Sequence, residues 1–201
     1  MNKPLSFACV LLLAASMPVP ALDLTPHLHE IPFPDGSSLR RYYFIDGDTK
    51  YTIDTEHGTE VSASSGGAVF RYQDLPGASL VMQASPYKPE IPFNAGSLGI
   101  YRQSAESFAP NGAKAEGEFE ETLNPISQDG WTSYRFSRAY KLPGSTIRQS
   151  VIFLNLLPKQ QIVLVTTAFS AEFGGAQSRT ERVITSWRSI SDQKLNTPEI
   201  N

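Results

Sequence analysis

Two stretches in the second half of the chain constrain the fold most: Val151 to Leu157 (VIFLNLL) and Ile162 to Val165 (IVLV). A strand with one face in water alternates apolar and polar residues. These stretches do not alternate, which predicts central strands buried on both faces. The link between them holds Pro158-Lys159 and is short, so they are expected to be antiparallel neighbours. A sheet buried on both faces needs covering material on each.

Two amphipathic stretches, about 75 residues apart, can provide it. In Ser97 to Ala109, Leu98, Tyr101, Ala105 and Phe108 recur at steps of three and four, and Pro110-Asn111-Gly112 ends the pattern. In residues 172–190, Phe173, Ala176, Thr180, Val183, Ile184, Trp187 and Ile190 form one stripe. Gly174-Gly175 predicts that this second helix becomes regular only near Ala176, because glycine costs about 1 kcal/mol against alanine in a helix. The expected class is α+β: an α/β/α sandwich with a central antiparallel sheet and helices on both faces.

The remaining segments read as short strands set apart by turn chemistry. Leu39 to Ile45 and Lys50 to Asp54 flank Asp46-Gly47-Asp48, a hairpin signal. Thr59 to Ala63, Ala68 to Tyr72 and Ser79 to Ala84 follow, with Gly66-Gly67 and Asp74-Leu75-Pro76-Gly77 as turns. Glu118 to Leu123 and Trp131 to Tyr140 precede the two buried strands, Thr146 to Leu156 and Gln160 to Phe169. Residues 22–38 hold three prolines without a period and read as an extended N-terminal arm. The polar residues 191–201 read as a frayed tail. The folded unit is therefore expected to be one domain over residues 39–190.

Residues 1–21 (MNKPLSFACVLLLAASMPVPA) carry a lysine, an apolar run and the small residues Val19 and Ala21 at a cleavage point. That is a secretory signal peptide pattern, too short for a spanning helix and closed by Pro18 and Pro20. An exported protein, periplasmic or extracellular, is expected. The single cysteine, Cys9, precedes the cleavage point, so neither a lipid anchor nor a disulfide is expected in the mature chain. The Asn-x-Ser/Thr pattern is absent, in keeping with a bacterial source. Hydrophobic residues at 40% suffice for a core, and charged residues at 18% are too few for a disordered chain. A net charge of −3 argues against nucleic-acid binding by phosphate neutralisation.

Few residues carry chemistry in a recognisable pattern. His27 and His29, with Glu30, could offer imidazoles to a metal from one side of an extended segment, but structural zinc normally takes four ligands. Asp46, Asp48 and Asp54 surround a hairpin, with Lys50 where a calcium loop needs a ligand. Glu118, Glu120 and Glu121 lie on one strand, Glu118 and Glu120 on one face, and could do paired-carboxylate hydrolysis. A solvated sheet edge is the commoner origin of such a face. His57 is a lone turn histidine. Ser85-Pro86-Tyr87-Lys88 matches Ser-x-x-Lys, but its prolines deny it the helix that chemistry needs. Tyr42, Tyr43, Phe44, Trp131 and Trp187 read as core. No nucleophile elbow, phosphate loop or dinucleotide fingerprint occurs. No catalytic, cofactor-binding or metal residue is assigned.

The order of elements resembles the PsbP-like superfamily, which includes the extrinsic PsbP proteins of photosynthesis and bacterial DcrB-like proteins. Gln161 to Phe169 (QIVLVTTAF) looks like its last strand, Ser170 to Phe173 like the acidic lead-in, and Val183 to Arg188 (VITSWR) like its closing helix. Phe70 to Pro86 resembles its middle strand pair. The hairpin of residues 39–54 departs from the usual opening. The resemblance implies a non-enzymatic binding or assembly protein, its partner another envelope protein or a small ligand, with no cofactor and no membrane span. A carboxylate-dependent hydrolase and a His-based metal-binding protein are the alternatives.

Overall fold

Ile162 stands opposite Leu154 and Val165 opposite Val151, so the two apolar runs pair antiparallel as expected. The computed structural model describes residues 22–36, 38–85, 91–126, 130–157 and 160–191. The signal segment 1–21, the Ser85 to Lys88 motif beyond Ser85, the Pro158-Lys159 link and the tail beyond Ser191 lie outside them.

Eleven strands and two helices are described. They are β1 (Asp23–Pro32), β2 (Ser38–Asp46), β3 (Thr49–Ile53), β4 (Thr59–Ser64), β5 (Gly67–Tyr72), β6 (Leu75–Ala84), α1 (Leu98–Ser107), β7 (Lys114–Leu123), β8 (Thr132–Leu142), β9 (Ser145–Leu157), β10 (Gln160–Phe169), α2 (Phe173–Thr185) and β11 (Arg188–Ile190). They form two antiparallel sheets. The larger has the order β4-β5-β6-β10-β9-β8-β7, and the smaller β1-β2-β3-β11. The fold is a sheet-rich α+β arrangement, and the second sheet is what the sequence did not announce.

Because a strand alternates, the doubly apolar runs feed two separate cores. Ile152, Leu154, Ile162 and Leu164 join Ala176, Val183 and Ile184 of α2 and Tyr42, Phe44, Tyr51 and Ile53 of the small sheet. Val151, Phe153, Val163 and Val165 join Tyr101 and Ala105 of α1 with Tyr134 and Phe136. Each large buried side chain contributes about 1.5–3 kcal/mol. The long apolar residues of β9 and β10 thus serve both cores at once.

Three expectations need correction. Residues 22–38 are not a loose arm: most of them form β1, which pairs with β2 from Asp23 opposite Ile45 to Pro32 opposite Ser38. Pro26 and Pro32 mislead because proline is tolerated where its missing N–H faces away from the ladder, on an edge strand. The register slips between Asp23 and His27, around Pro26. The second helix begins at Phe173, so Gly174-Gly175 does not delay it. It ends at Thr185, leaving Trp187 beyond the helix and Ile190 in β11. The turn at residues 74–77 is also tighter than expected, since β6 already starts at Leu75.

Among the described residues, no helix is long and apolar enough to cross a membrane.

Candidate functional site

A groove of about 580 Å³ opens where the small sheet meets the start of β4. Arg40 and Tyr42 of β2 form one wall. The β3–β4 link (Thr55, Glu56, His57, Gly58) and Thr59 and Glu60 of β4 form another, and Gln73 of the β5–β6 turn closes the side. Beside it a smaller pocket shares Thr55, Glu56 and Thr59 and adds Asp54, Tyr72, Arg179, Arg182 and Val183.

The chain builds this place from three distant segments. Gly58 adopts φ +79°, a left-handed turn conformation that favours glycine. Its carbonyl accepts from the Gln73 N–H at 3.0 Å, which locks the β3–β4 link to the β5–β6 turn. Residues 179 and 182 lie one turn apart on α2, so both arginines reach the same side of the helix.

Arg179 is the hub. Its Nη1 and Nη2 donate to Asp74 Oδ1 at 2.7 Å and Oδ2 at 2.5 Å, a bidentate clasp. Its Nε lies 2.9 Å from Glu56 Oε2, and Arg182 Nη1 donates to Glu56 Oε1 at 3.2 Å. The Arg179 hydrogen bonds hold the Asp74 carboxyl below the usual carboxylate value, and the Asp74 and Glu56 charges raise Arg179 in turn. Arg179 also lies over the Tyr72 ring, 4.9 Å from its centre.

Tyr72 is buried, and its hydroxyl lies beside Thr180 of α2 without a well-formed hydrogen bond. Burial pushes this phenol up to about 12, against the pull of Arg179. An uncharged buried O–H therefore stands under α2, in the lining of the smaller pocket. Two arginines are matched by two carboxylates, so the depth of the site carries little net charge.

The residues singled out in sequence are scattered. His57 lines the groove and is exposed. His27 stacks on Tyr43, ring centres 5.1 Å apart, and His29 stands opposite Arg41. A guanidinium opposite an imidazole disfavours a bound cation there. Among the described residues, no three His, Cys, Asp or Glu side chains cluster in a metal-binding arrangement. Asp54 leaves the Asp46–Asp48 turn and pairs with Arg188 at 3.0 Å. Glu120 pairs with Arg148 at 2.9 Å and Glu121 with Arg102 at 2.7 Å, while Glu118 is exposed. Trp131 packs against the α2-side core at partial exposure, and Trp187 is buried. Sequence reasoning missed Glu56, Tyr72, Asp74, Arg179 and Arg182. The one visible signal was the pair of arginines three residues apart on an amphipathic helix.

No family model matches the chain, and no curated protein matches it in sequence. Solved structures similar to it include the following three. LpqN of Mycobacterium tuberculosis, described as involved in cell envelope biogenesis, is 13% identical with a TM-score of 0.46, covering 82% of this chain and 92% of LpqN. The cyanobacterial PsbP protein of Synechocystis is 10% identical with a TM-score of 0.45, covering 81% of this chain and 92% of that one. A Pseudomonas aeruginosa protein of unknown function is 12% identical with a TM-score of 0.36, covering 87% of this chain and 98% of that one.

Proposed function

We propose that this is an exported, non-enzymatic binding protein whose ligand site is the groove between the small sheet and β4. The observation that carries the reading is an open groove walled by the polar side chains of Arg40, Glu56, His57, Glu60 and Gln73. A few convergent polar groups around a concave site are what fix a small ligand's orientation. The volume of about 580 Å³ is in the range of small-molecule sites. The arginine and carboxylate charges beside it balance, which favours a neutral ligand rich in hydroxyl or amide groups. A general base needs a free carboxylate or imidazole near a reacting proton. Glu56 is tied to two arginines and Asp74 to one, so neither is a free base, and the reading takes the exposed His57 and Glu60 as ligand contacts at the groove's rim.

Export rests on residues 1–21, and sequencing of the secreted protein should begin at Leu22. The same reading takes the larger sheet as the centre of an α/β/α sandwich. Its support is the division of β9 and β10 side chains between an α1 cluster and an α2 cluster.

The ligand test is an NMR titration with neutral oligosaccharides and short uncharged peptides. Shifts are expected at Gln73, Gly58 and Thr59. His57→Ala and Gln73→Ala should weaken binding without lowering the melting temperature. Shifts confined to another surface, or full binding by both variants, would overturn the assignment.

A further inference from the structure

The two sheets present four edges, and three are guarded. The β1 edge carries Pro26, Pro32 and a register slip. The β7 edge carries Glu116, Glu118, Glu120 and Glu121, with a slip between Glu116 and Glu120 around Gly117 at φ +69°. The β11 edge is three residues long. These are the devices by which proteins prevent strand-to-strand association. Among the described residues the β4 edge has none. It pairs with β5 without a slip from Thr59 opposite Tyr72 to Ser64 opposite Gly67. Its sequence, TEVSAS, holds no proline and one charge, and Ser62, Ala63 and Ser64 are exposed.

The register shows which groups point outward. The Gly58 carbonyl accepts from Gln73 N–H, so the bonds to β5 fall on residues 58, 60, 62 and 64. Val61 and Ala63 therefore turn their N–H and C=O away from the sheet. Thr59 N–H already donates to Glu56 O at 3.1 Å.

We propose that β4 is a self-association edge, and that its occupant is β4 of a second copy, antiparallel about a two-fold axis at Ser62. In this register Val61 and Ala63 of each copy exchange N–H···O=C bonds with Ala63 and Val61 of the other. Ser62 meets Ser62, and the one charge, Glu60, meets Ser64 rather than another Glu60. No like charges are opposed, and the small side chains at positions 62–64 let the strands approach. The two larger sheets become one continuous sheet. Such a contact is isologous and closed, so it stops at a dimer. A single strand pair is a small interface, so the association is weak and depends on concentration. The proposal does not rest on the ligand groove.

Sedimentation velocity tests it from about 10 μM to about 1 mM, the range in which an interface below ~1,200 Å² associates. The parent should shift from monomer to dimer. Ser62→Lys and Ser62→Glu, each facing its own copy across the axis, should both remain monomeric. An equimolar mixture of the two should recover the dimer, since Lys then faces Glu. Ala63→Pro removes an outward N–H and spares the β5 ladder, so it should stay folded and monomeric. A parent that stays monomeric throughout overturns the proposal. So does a Ser62→Lys variant that dimerises as well as the parent or better, because in a register centred on Val61 the lysine would face Glu60.

Discussion

The Trp187 indole lies flat against the Phe44 ring, their centres 5.3 Å apart and their planes within 8°. Tyr51 stacks on the same indole at 5.6 Å. Trp187 follows the last turn of α2, so it ties the end of that helix to β2 and β3. The small sheet and the larger one are joined at this point rather than through β-pairing.

Trp187→Ala should therefore loosen the seam between the sheets. Removing a buried aromatic costs about 3–5 kcal/mol, against a typical total of about 5–15 kcal/mol. The variant should melt far earlier than the parent and be cut by proteases in residues 22–54. Trp187→Phe should cost much less, because the indole N–H makes no hydrogen bond. An Ala variant with an unchanged melting curve would contradict this account.

Asp74 supplies a pH test. Its folded pKa is depressed below 3.8, chiefly by the Arg179 hydrogen bonds. A depressed acid contributes stability above its unfolded pKa and loses it as pH falls through the folded value. The parent should therefore exceed Asp74→Asn in stability at neutral pH, and the gap should close in acid below the normal carboxylate range. Molar salt should narrow it at neutral pH as well, since Asp74 is largely exposed. Melting temperatures of both proteins against pH check the sign.

The sequence made the middle of the larger sheet legible because β9 and β10 must satisfy two cores, and that requirement removes alternation over a whole run. Helix α1 was legible for the opposite reason: one core leaves one stripe. The small sheet was hidden. Pro26 and Pro32 mimic a loop when the edge position of β1 is unknown, and β11 is too short for a period. The groove was hidden more deeply. Glu56, Tyr72 and Arg179 are ordinary surface or strand residues in sequence, more than 100 positions apart at the extremes. Their meeting depends on the β5–β6 turn standing beside α2, which no local pattern encodes. His57 was visible as a turn histidine, and its place in the groove was not.

Tyr72 carries an alkaline prediction. Its phenol rises from 10 to about 12 through burial. A neutral form favoured by the fold makes the native state hold its proton while the unfolded state loses it, so stability falls as pH rises above 10. Two units correspond to about 3 kcal/mol in full, of which about half is lost by pH 11. Tyr72→Phe should remove that part of the alkaline loss and change stability little at pH 7, since no well-formed hydrogen bond is lost. Urea titrations of both proteins at pH 8 and pH 11 measure the difference.

Two adjacent glycines should fail for different reasons. A Cβ on Gly67 would stand 2.0 Å from the Met82 carbonyl oxygen and 3.0 Å from Gln83 Cα. Those are backbone atoms of β6, the strand directly paired with β5, so relief requires moving the ladder itself. Gly66 meets nothing within 4 Å, but its φ is +81°. There the cost is the left-handed conformation alone, about 1–2 kcal/mol for an L-residue. Gly67→Ala should therefore be the more damaging, at or above the ~1–3 kcal/mol of an overpacked site. Hydrogen exchange separates the mechanisms. Gly67→Ala should speed exchange across both β5 and β6, from Ala68 to Gln83. Gly66→Ala should lower overall stability while leaving the relative protection of β6 unchanged. Equal protection losses in both variants would show that the turn, and not the close approach of β5 to β6, sets the requirement for glycine.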